Sequence, residues 1–241
     1  MPHLITNRAR QHNLMSDRPA GHLHFSWESV NAILYLIGGF AFIIGSIFFL
    51  PRYEESIAVG VWSYFGGSCL YAIVTIHDLL ESISHLRSQN YVTRAHLTEL
   101  YAAIFYTIGT LLFIAGSLFF LPQIELITAG VGCFITGSIL FLIGSCINVL
   151  QITQAGSLLT LQLLNATAIC FLLGSVLFLV ASIPYLWTIT NQQERNLLFT
   201  YVAWEYIVGS FLFWNGGIFN YYRAILVADR HRELALRAKE D

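Results

Sequence analysis

The chain has 241 residues, of which 56% are hydrophobic and only 11% are charged, with a formal net charge of −2. Soluble domains carry roughly 25% charged residues, so a chain this apolar has more apolar surface than a soluble core can bury. The composition therefore indicates a membrane protein. No basic stripe with interleaved aromatic residues occurs, which argues against a nucleic-acid partner.

Six apolar segments follow one another, each long enough to cross a hydrocarbon core of roughly 30 Å as a helix. They are 30–50, 56–80, 99–121, 126–150, 161–183 and 197–222. Backbone amides in lipid need partners within their own segment, so each crossing is expected to be an α-helix. The predicted fold class is all-α: a polytopic helical membrane protein whose six transmembrane helices form three repeated hairpins.

The segments divide the chain into five parts. These are a polar cytoplasmic tail (1–25), hairpin repeat 1 with a cytoplasmic loop (26–98), hairpin repeat 2 (99–160), a divergent hairpin repeat 3 (161–222) and a charged cytoplasmic tail (223–241). Within repeat 1, a polar stretch at 81–98 follows the second apolar segment. A link at 185–196 is expected to join the fifth and sixth segments.

Basic residues predict the orientation. With six crossings, ten of the twelve Lys and Arg residues fall on the side of both termini, and only Arg52 and Arg195 fall on the other. Loops and tails on the cytoplasmic side of a membrane are enriched in Lys and Arg. We therefore expect a multi-pass protein of the inner (cytoplasmic) membrane with both termini in the cytoplasm.

The first hairpin recurs after 71 residues. Residues 45–68 read GSIFFLPRYEESIAVGVWSYFGGS and residues 116–138 read GSLFFLPQIELITAGVGCFITGS. The same shift places Glu28 on Glu99, and after a one-residue gap Asp78 falls on Asn148. A third, looser copy is expected to align its own Gly-Ser steps with these and to place Asn220 at the Asp78 position. Such repetition predicts one structural unit used three times.

The Gly-Ser steps are predicted to be helix-packing sites. Helices in lipid gain little from the hydrophobic effect, and small residues let their backbones approach closely. The predicted packing residues are Gly45, Ser46, Gly67, Ser68, Gly116, Ser117, Gly137, Ser138, Gly174 and Gly209.

The combination of GSIFFLP or GSLFFLP, an acidic turn, a second Gly-Ser step and the sequence HDLLE resembles the YrhK-like domain of bacterial membrane proteins. The resemblance covers residues 28–81 and 99–151, and weakly 161–222. It implies a membrane domain without an assigned activity, so it carries over no catalytic residues.

Histidines and acids gather at the predicted cytoplasmic helix ends. The spacing of four between His77, Glu81 and His85 places them on one stripe of a helix. The full candidate set is His77, Asp78, Glu81, His85, Glu28, His96 and Glu99. We expect a polar network that ties the hairpins together. A transition-metal site or a proton relay is the alternative, since His and carboxylate groups suit both. No cofactor is predicted.

Glu205 lies inside the sixth apolar segment, about 12 Å from its outer end at 1.5 Å per residue. No Ser-His-acid set, phosphate loop, CxxC pair or HExxH motif occurs. We therefore expect a structural or assembly (interaction) protein of the membrane, in contact with lipids and forming a homo-oligomer or part of a larger assembly. The alternatives are a small transporter or channel using Glu205 and the intramembrane Asn residues, and a metalloprotein at the His/acid rim.

Overall fold

The computed structural model describes residues 24–150 and 157–240, with side chains for 29–149 and 157–226. Within these ranges the chain is helical and contains no β-strand. The six helices are α1 (His24–Phe48), α2 (Ile57–Ser88), α3 (Arg94–Phe119), α4 (Ile127–Leu150), α5 (Leu158–Ser182) and α6 (Gln192–Glu240). Short 3-10 helices, Pro51–Ser56 and Ile183–Leu186, follow α1 and α5. The all-α prediction is confirmed.

Each of the six helices contains a stretch long and apolar enough to cross a membrane. Their outward faces carry large exposed apolar side chains, among them Ile37, Trp62, Leu111 and Phe211. Soluble proteins rarely expose contiguous apolar surface of this extent, so the outer face matches a lipid environment. The prediction of six potential crossings is confirmed.

Two connections are shorter than the polar stretches of the sequence. α2 continues to Ser88, which keeps His77, Glu81 and His85 on one helix, and only residues 89–93 form a loop. The Thr93 hydroxyl then caps α3 by accepting a hydrogen bond from the His96 amide (3.3 Å). Similarly, α6 begins at Gln192 rather than near 197, where Asn191 Oδ1 accepts from the Gln193 amide (2.9 Å). Polar residues at these places extend and cap helices instead of interrupting them.

The helices form a closed ring. Each packs against its neighbours in sequence, and α6 closes the ring against α1. At that closure the hydroxyls of Ser46 and Ser210 lie 3.2 Å apart. We call the end with the three hairpin turns (49–56, 120–126 and 183–191) the turn end. The opposite end, which carries the loop 89–93, is the base.

Aromatic side chains fill the centre of the ring in five layers, with one residue from each repeat in every layer. From the turn end the layers are Phe49/Phe120/Tyr185, Tyr64/Phe134/Tyr206, Phe42/Phe113/Phe178, Tyr71/Phe141/Phe213 and Tyr35/Tyr106/Phe171. All but the first layer are buried. We call these fifteen side chains the aromatic column.

The column is continuous from layer to layer. In repeat 1 the ring centroids of Phe49 and Tyr64, of Tyr64 and Phe42, and of Phe42 and Tyr71 are each 5.0 Å apart. Tyr35 then stacks on Tyr71 at 4.2 Å. Such separations are those at which aromatic rings attract one another. The interior is therefore packed rather than hollow over the four buried layers.

Glycines on one helix of a hairpin make room for rings on the other. A β-carbon added to Gly38 would lie 2.7 Å from the Tyr71 ring, and one added to Gly109 would lie 2.6 Å from Phe141. Two glycines also face each other across each hairpin. A β-carbon on Gly67 would lie 2.8 Å from the Gly38 carbonyl oxygen.

The third repeat is shifted by seven residues from the alignment that its Gly-Ser step suggests. Gly174 faces Gly209, as Gly38 faces Gly67 and Gly109 faces Gly137. Gly174-Ser175 therefore matches Gly38-Gly39 rather than Gly45-Ser46, and Ala181-Ser182 takes the Gly45-Ser46 place. Two hydroxyl contacts support this register. Ser46 Oγ lies 2.8 Å from the Tyr64 hydroxyl, and Ser182 Oγ lies 2.7 Å from the hydroxyl of Tyr206, the residue equivalent to Tyr64.

Several expectations lie outside the described part of the chain. They are the tail up to residue 23, the link 151–156, and the side chains of Glu28 and of residues 227–241.

We predict that Gly45→Ala lowers the free energy of unfolding by about 1–3 kcal/mol, the usual cost of overpacking. The added carbon would lie 2.5 Å from Tyr64 Cδ2 and 2.9 Å from the Gly60 carbonyl oxygen. Gly66→Ala is the matched control, because an added carbon there meets nothing within 4 Å. Unfolding in mixed micelles titrated with SDS measures both. Equal stability of the two variants would contradict the packing described here.

Candidate functional site at the base of the bundle

Polar side chains are buried together at the base, where the aromatic column ends. They come from all six helices. The buried members are Asn31, Thr75, His77, Asp78, Glu81, Ser82, Glu99, Thr107, Ser145, Asn148, Thr160, Thr167, Asn220 and Arg223. We call this group the base cluster. Polar side chains are costly within a membrane bundle, and their concentration in one place marks a candidate functional site.

The C-terminal half of α2 supplies the densest part of the base cluster. His77, Asp78 and Glu81 are fully buried, and His85 is half-buried one turn further on. The spacing of four keeps His77, Glu81 and His85 on one stripe, and Asp78 lies beside them on the inner face. None of the three buried side chains extends freely into water.

Hydrogen bonds join α2 to α3 within the cluster. The Ser82 hydroxyl donates to Glu99 Oε1 (3.3 Å), and the Thr107 hydroxyl donates to the Thr75 carbonyl (3.1 Å). Because α2 and α3 belong to different repeats, these bonds fasten one hairpin to the next.

Asp78, Asn148 and Asn220 hold the same place in the three repeats, and all three are buried. Asn148 Nδ2 donates to the Tyr106 hydroxyl at 3.1 Å, and that hydroxyl also lies 3.1 Å from Ser145 Oγ. These contacts tie the base cluster to the last layer of the aromatic column.

Arg223 is a buried member that the sequence analysis treated only as a basic tail residue. Its Nε and Nη2 donate to Asn220 Oδ1 at 3.3 and 3.2 Å. The register of the repeat contained the signal. Arg223 follows Asn220 by three residues, as Glu81 follows Asp78, so opposite charges occupy equivalent places in repeats 1 and 3. Asn31 was missed as well, since its equivalents Ala102 and Thr167 share no chemistry with it.

The cluster buries more acidic side chains than arginines. Three acids, Asp78, Glu81 and Glu99, are buried with one arginine, Arg223. Each of these four side chains, and His77, has at least one further interaction partner. A buried charge is tolerated only where pairing and hydrogen bonds replace its hydration. The cluster can hold helices in register, and its acids and histidine can exchange protons.

The metal interpretation gains no support from the geometry. Within the described residues, no three His, Cys, Asp or Glu side chains come together as metal ligands. His85 and His96 approach each other as rings, edge to face at a centroid distance of 5.1 Å. The side chain of Glu28 lies outside the described part.

The intramembrane acid is not part of the cluster. Glu205 is half-buried on α6 beside the exposed Trp204, at the place of Ser63 and Cys133 in the other repeats. Asn165 is exposed, and Asn215 Nδ2 donates to its own helix at the Phe211 carbonyl (2.9 Å). These three side chains do not line a common interior path.

We predict that Asp78→Ala lowers the free energy of unfolding by about 1–3 kcal/mol, because its buried partners lose a hydrogen-bonding group. Asp78→Asn should cost less, since asparagine occupies the same place in repeats 2 and 3. Glu54→Ala, at an exposed acid of the turn end, serves as the control. SDS titration compares the three variants. A larger loss for Glu54→Ala than for Asp78→Ala would refute the cluster's stabilising role.

The YrhK-like protein family matches the chain twice, at residues 26–83 and 96–152. No curated protein and no solved structure matches it. The third hairpin lies outside both matches, although its glycines and rings pack in the same register as those of the first two. The chain is thus an all-helical protein, with six helices able to span a membrane, that carries the YrhK-like domain twice.

Proposed function

We propose that this protein is a structural or assembly protein of the membrane, working as a homo-oligomer or as a subunit of a larger complex, and that it is neither an enzyme nor a conduit. The observation that carries the proposal is the aromatic column. Its four buried layers occupy the axis along which a small helical bundle would otherwise conduct.

The column opposes transport for a steric reason. The three rings of the layer Tyr64, Phe134 and Tyr206 touch one another at centroid distances of 5.8, 6.1 and 6.5 Å. Rings at such distances leave no room for a hydrated ion between them. Glycine contacts behind the rings keep the layers close, so opening a path would require the helices to separate.

The base cluster supports the same proposal. Three of its hydrogen bonds, from Ser82 to Glu99, from Thr107 to Thr75 and from Asn148 to Tyr106, join neighbouring helices, as expected of groups that fix helix positions. Polar contacts between helices in membranes stabilise by about 0.6–2 kcal/mol each. Several such contacts at one end are enough to define the register of the ring.

The proposed location is the inner (cytoplasmic) membrane, with the base and both termini on the cytoplasmic side. The distribution of Lys and Arg supports this orientation, since Arg87 and Arg94 flank the base loop while the turn end carries only Arg52 and Arg195.

The orientation predicts the accessibility of introduced cysteines. In a background without the native cysteines, a membrane-impermeant thiol reagent added to intact cells should label Glu54→Cys and Gln192→Cys. It should not label Gln89→Cys or Ala238→Cys until the membrane is permeabilised. Labelling of Gln89→Cys in intact cells would overturn the proposed topology.

The absence of transport is testable in proteoliposomes. We expect proton and potassium fluxes equal to those of protein-free vesicles, because the column closes the axis. Glu205→Gln is the informative variant, since a transporter that used this acid would lose flux on its replacement. A protein-dependent flux that Glu205→Gln abolishes would refute the assembly proposal in favour of transport.

Self-association is testable by native mass spectrometry from nanodiscs. Thr128, Gly132 and Thr136 are exposed and spaced four apart on α4, which suits close helix contact. If copies associate there, Gly132→Leu should reduce the oligomer. Gly66→Leu, at an exposed glycine of α2, is the control. A wild-type protein that is monomeric and carries no partner subunit would contradict the proposal.

A further inference from the structure

A cavity of about 360 Å³ opens at the turn end, where the aromatic column begins. Phe49, Phe120 and Tyr185, the first layer, form its wall, and Phe134 and Tyr206 of the second layer form its floor. The cavity is therefore coaxial with the bundle and closed below. Its volume lies at the lower end of the range of small-molecule sites, which are also concave and mostly apolar.

The cavity lies where the third repeat departs from the other two. Between facing glycines, repeat 3 spans 35 residues (174 to 209), whereas repeat 1 spans 29 (38 to 67) and repeat 2 spans 28 (109 to 137). The extra residues place Trp187 and Ile189 on the cavity lining, and the early start of α6 adds Arg195 and Asn196. Packing of the aromatic column does not require this longer link, because repeats 1 and 2 pack their rings with shorter turns.

Arg195 is the basic residue on the cavity lining. The Arg195 guanidinium lies 5.7 Å from the centroid of Phe199, which is itself a lining residue. Arg195 makes no ion pair or hydrogen bond through its side chain with the residues that the structure describes. An aromatic ring beneath a guanidinium orients it while leaving its planar fork of donors available.

Other polar side chains line the same space. The Tyr185 hydroxyl makes no hydrogen bond within the described part of the chain, although its ring packs against Phe120 and Phe199. Glu54 also lines the cavity and, like Arg195, is exposed. The ring of Phe199 orients the Arg195 guanidinium, and this cation favours an anionic ligand.

We propose that this cavity binds an amphipathic organic anion. Its apolar body, about the size of naphthalene, lies among the aromatic side chains that line the cavity. Its carboxylate or similar acid group pairs with Arg195, and the Tyr185 hydroxyl donates a further hydrogen bond to it. A guanidinium and a carboxylate pair through two parallel N–H···O bonds, which gives the site both charge and orientation selectivity.

The probes are three naphthalene derivatives that differ in charge. 1-Naphthoate is the anion, 1-naphthalenemethanol is neutral and 1-naphthylmethylammonium is the cation. Binding to the full-length protein in nanodiscs is measured by equilibrium dialysis, with empty nanodiscs to subtract partitioning into lipid. We expect saturable, one-to-one binding of naphthoate that is at least tenfold tighter than binding of either other probe.

Variants locate the site. Arg195→Gln should weaken naphthoate binding at least tenfold, and Arg195→Lys, which keeps the charge without the planar fork, should weaken it less. Arg52→Gln is the matched control, because Arg52 lies at the same end over Tyr53 but does not line the cavity. Ile127→Trp, which fills the cavity, should abolish binding, whereas Ile124→Trp at an exposed position outside the lining should not.

Any one of three results would overturn the proposal: equal affinity for the three probes, no effect of Arg195→Gln, or unchanged binding to Ile127→Trp. Competition by dodecanoate identifies membrane-derived fatty acids as one source of the same chemistry, and its absence points to soluble ring acids. Either result of the competition supports an anion site.

Discussion

The structure depends on one repeated contact, in which an aromatic ring of one helix lies on a glycine of its hairpin partner. Phe42 lies on Gly67, Phe113 on Gly137 and Phe178 on Gly209, and each ring is 2.8–3.3 Å from where a β-carbon would be. The glycine brings the two backbones close, and the ring fills the volume gained at the centre. Hydrophobic burial gives helices in lipid little reason to associate, so this fit and its dispersion energy must hold the ring together.

The residues most relevant to function are those at which the three repeats differ, because the features that the repeats share serve helix packing. The repeats differ at both ends of the column. At the base, the equivalent residues Glu81 and Arg223 carry opposite charges, and Asp78 replaces the asparagine of the other repeats. At the turn end, residues of the longer third link line the cavity together with residues of the first two turns.

The hairpins could be predicted from the sequence because length, apolarity and proline are local properties. The aromatic column was visible in principle, since Tyr35, Phe42 and Phe49 are spaced by seven, but similar rings also occur on the lipid face. The third repeat was misaligned because the dipeptide at Gly174 is identical to that at Gly45, while packing places alanine at the equivalent position. The burial of Arg223 was not predicted because composition does not reveal that α6 continues past residue 222, which keeps Arg223 on the same helix as Asn220.

The packed column also limits how the two ends can communicate. Coupling between distant sites needs an element with two discrete arrangements, and five interlocked layers of rings on glycines offer one close-packed arrangement. A ligand in the turn-end cavity therefore acts on the base chiefly through the stability of the whole bundle. Binding that is selective for the folded state adds about 2.7 kcal/mol when the ligand is at one hundred times its dissociation constant. For a protein whose proposed role is to hold an assembly together, that gain is itself a means of regulation, because it raises the amount of folded, assembly-competent protein without moving a helix.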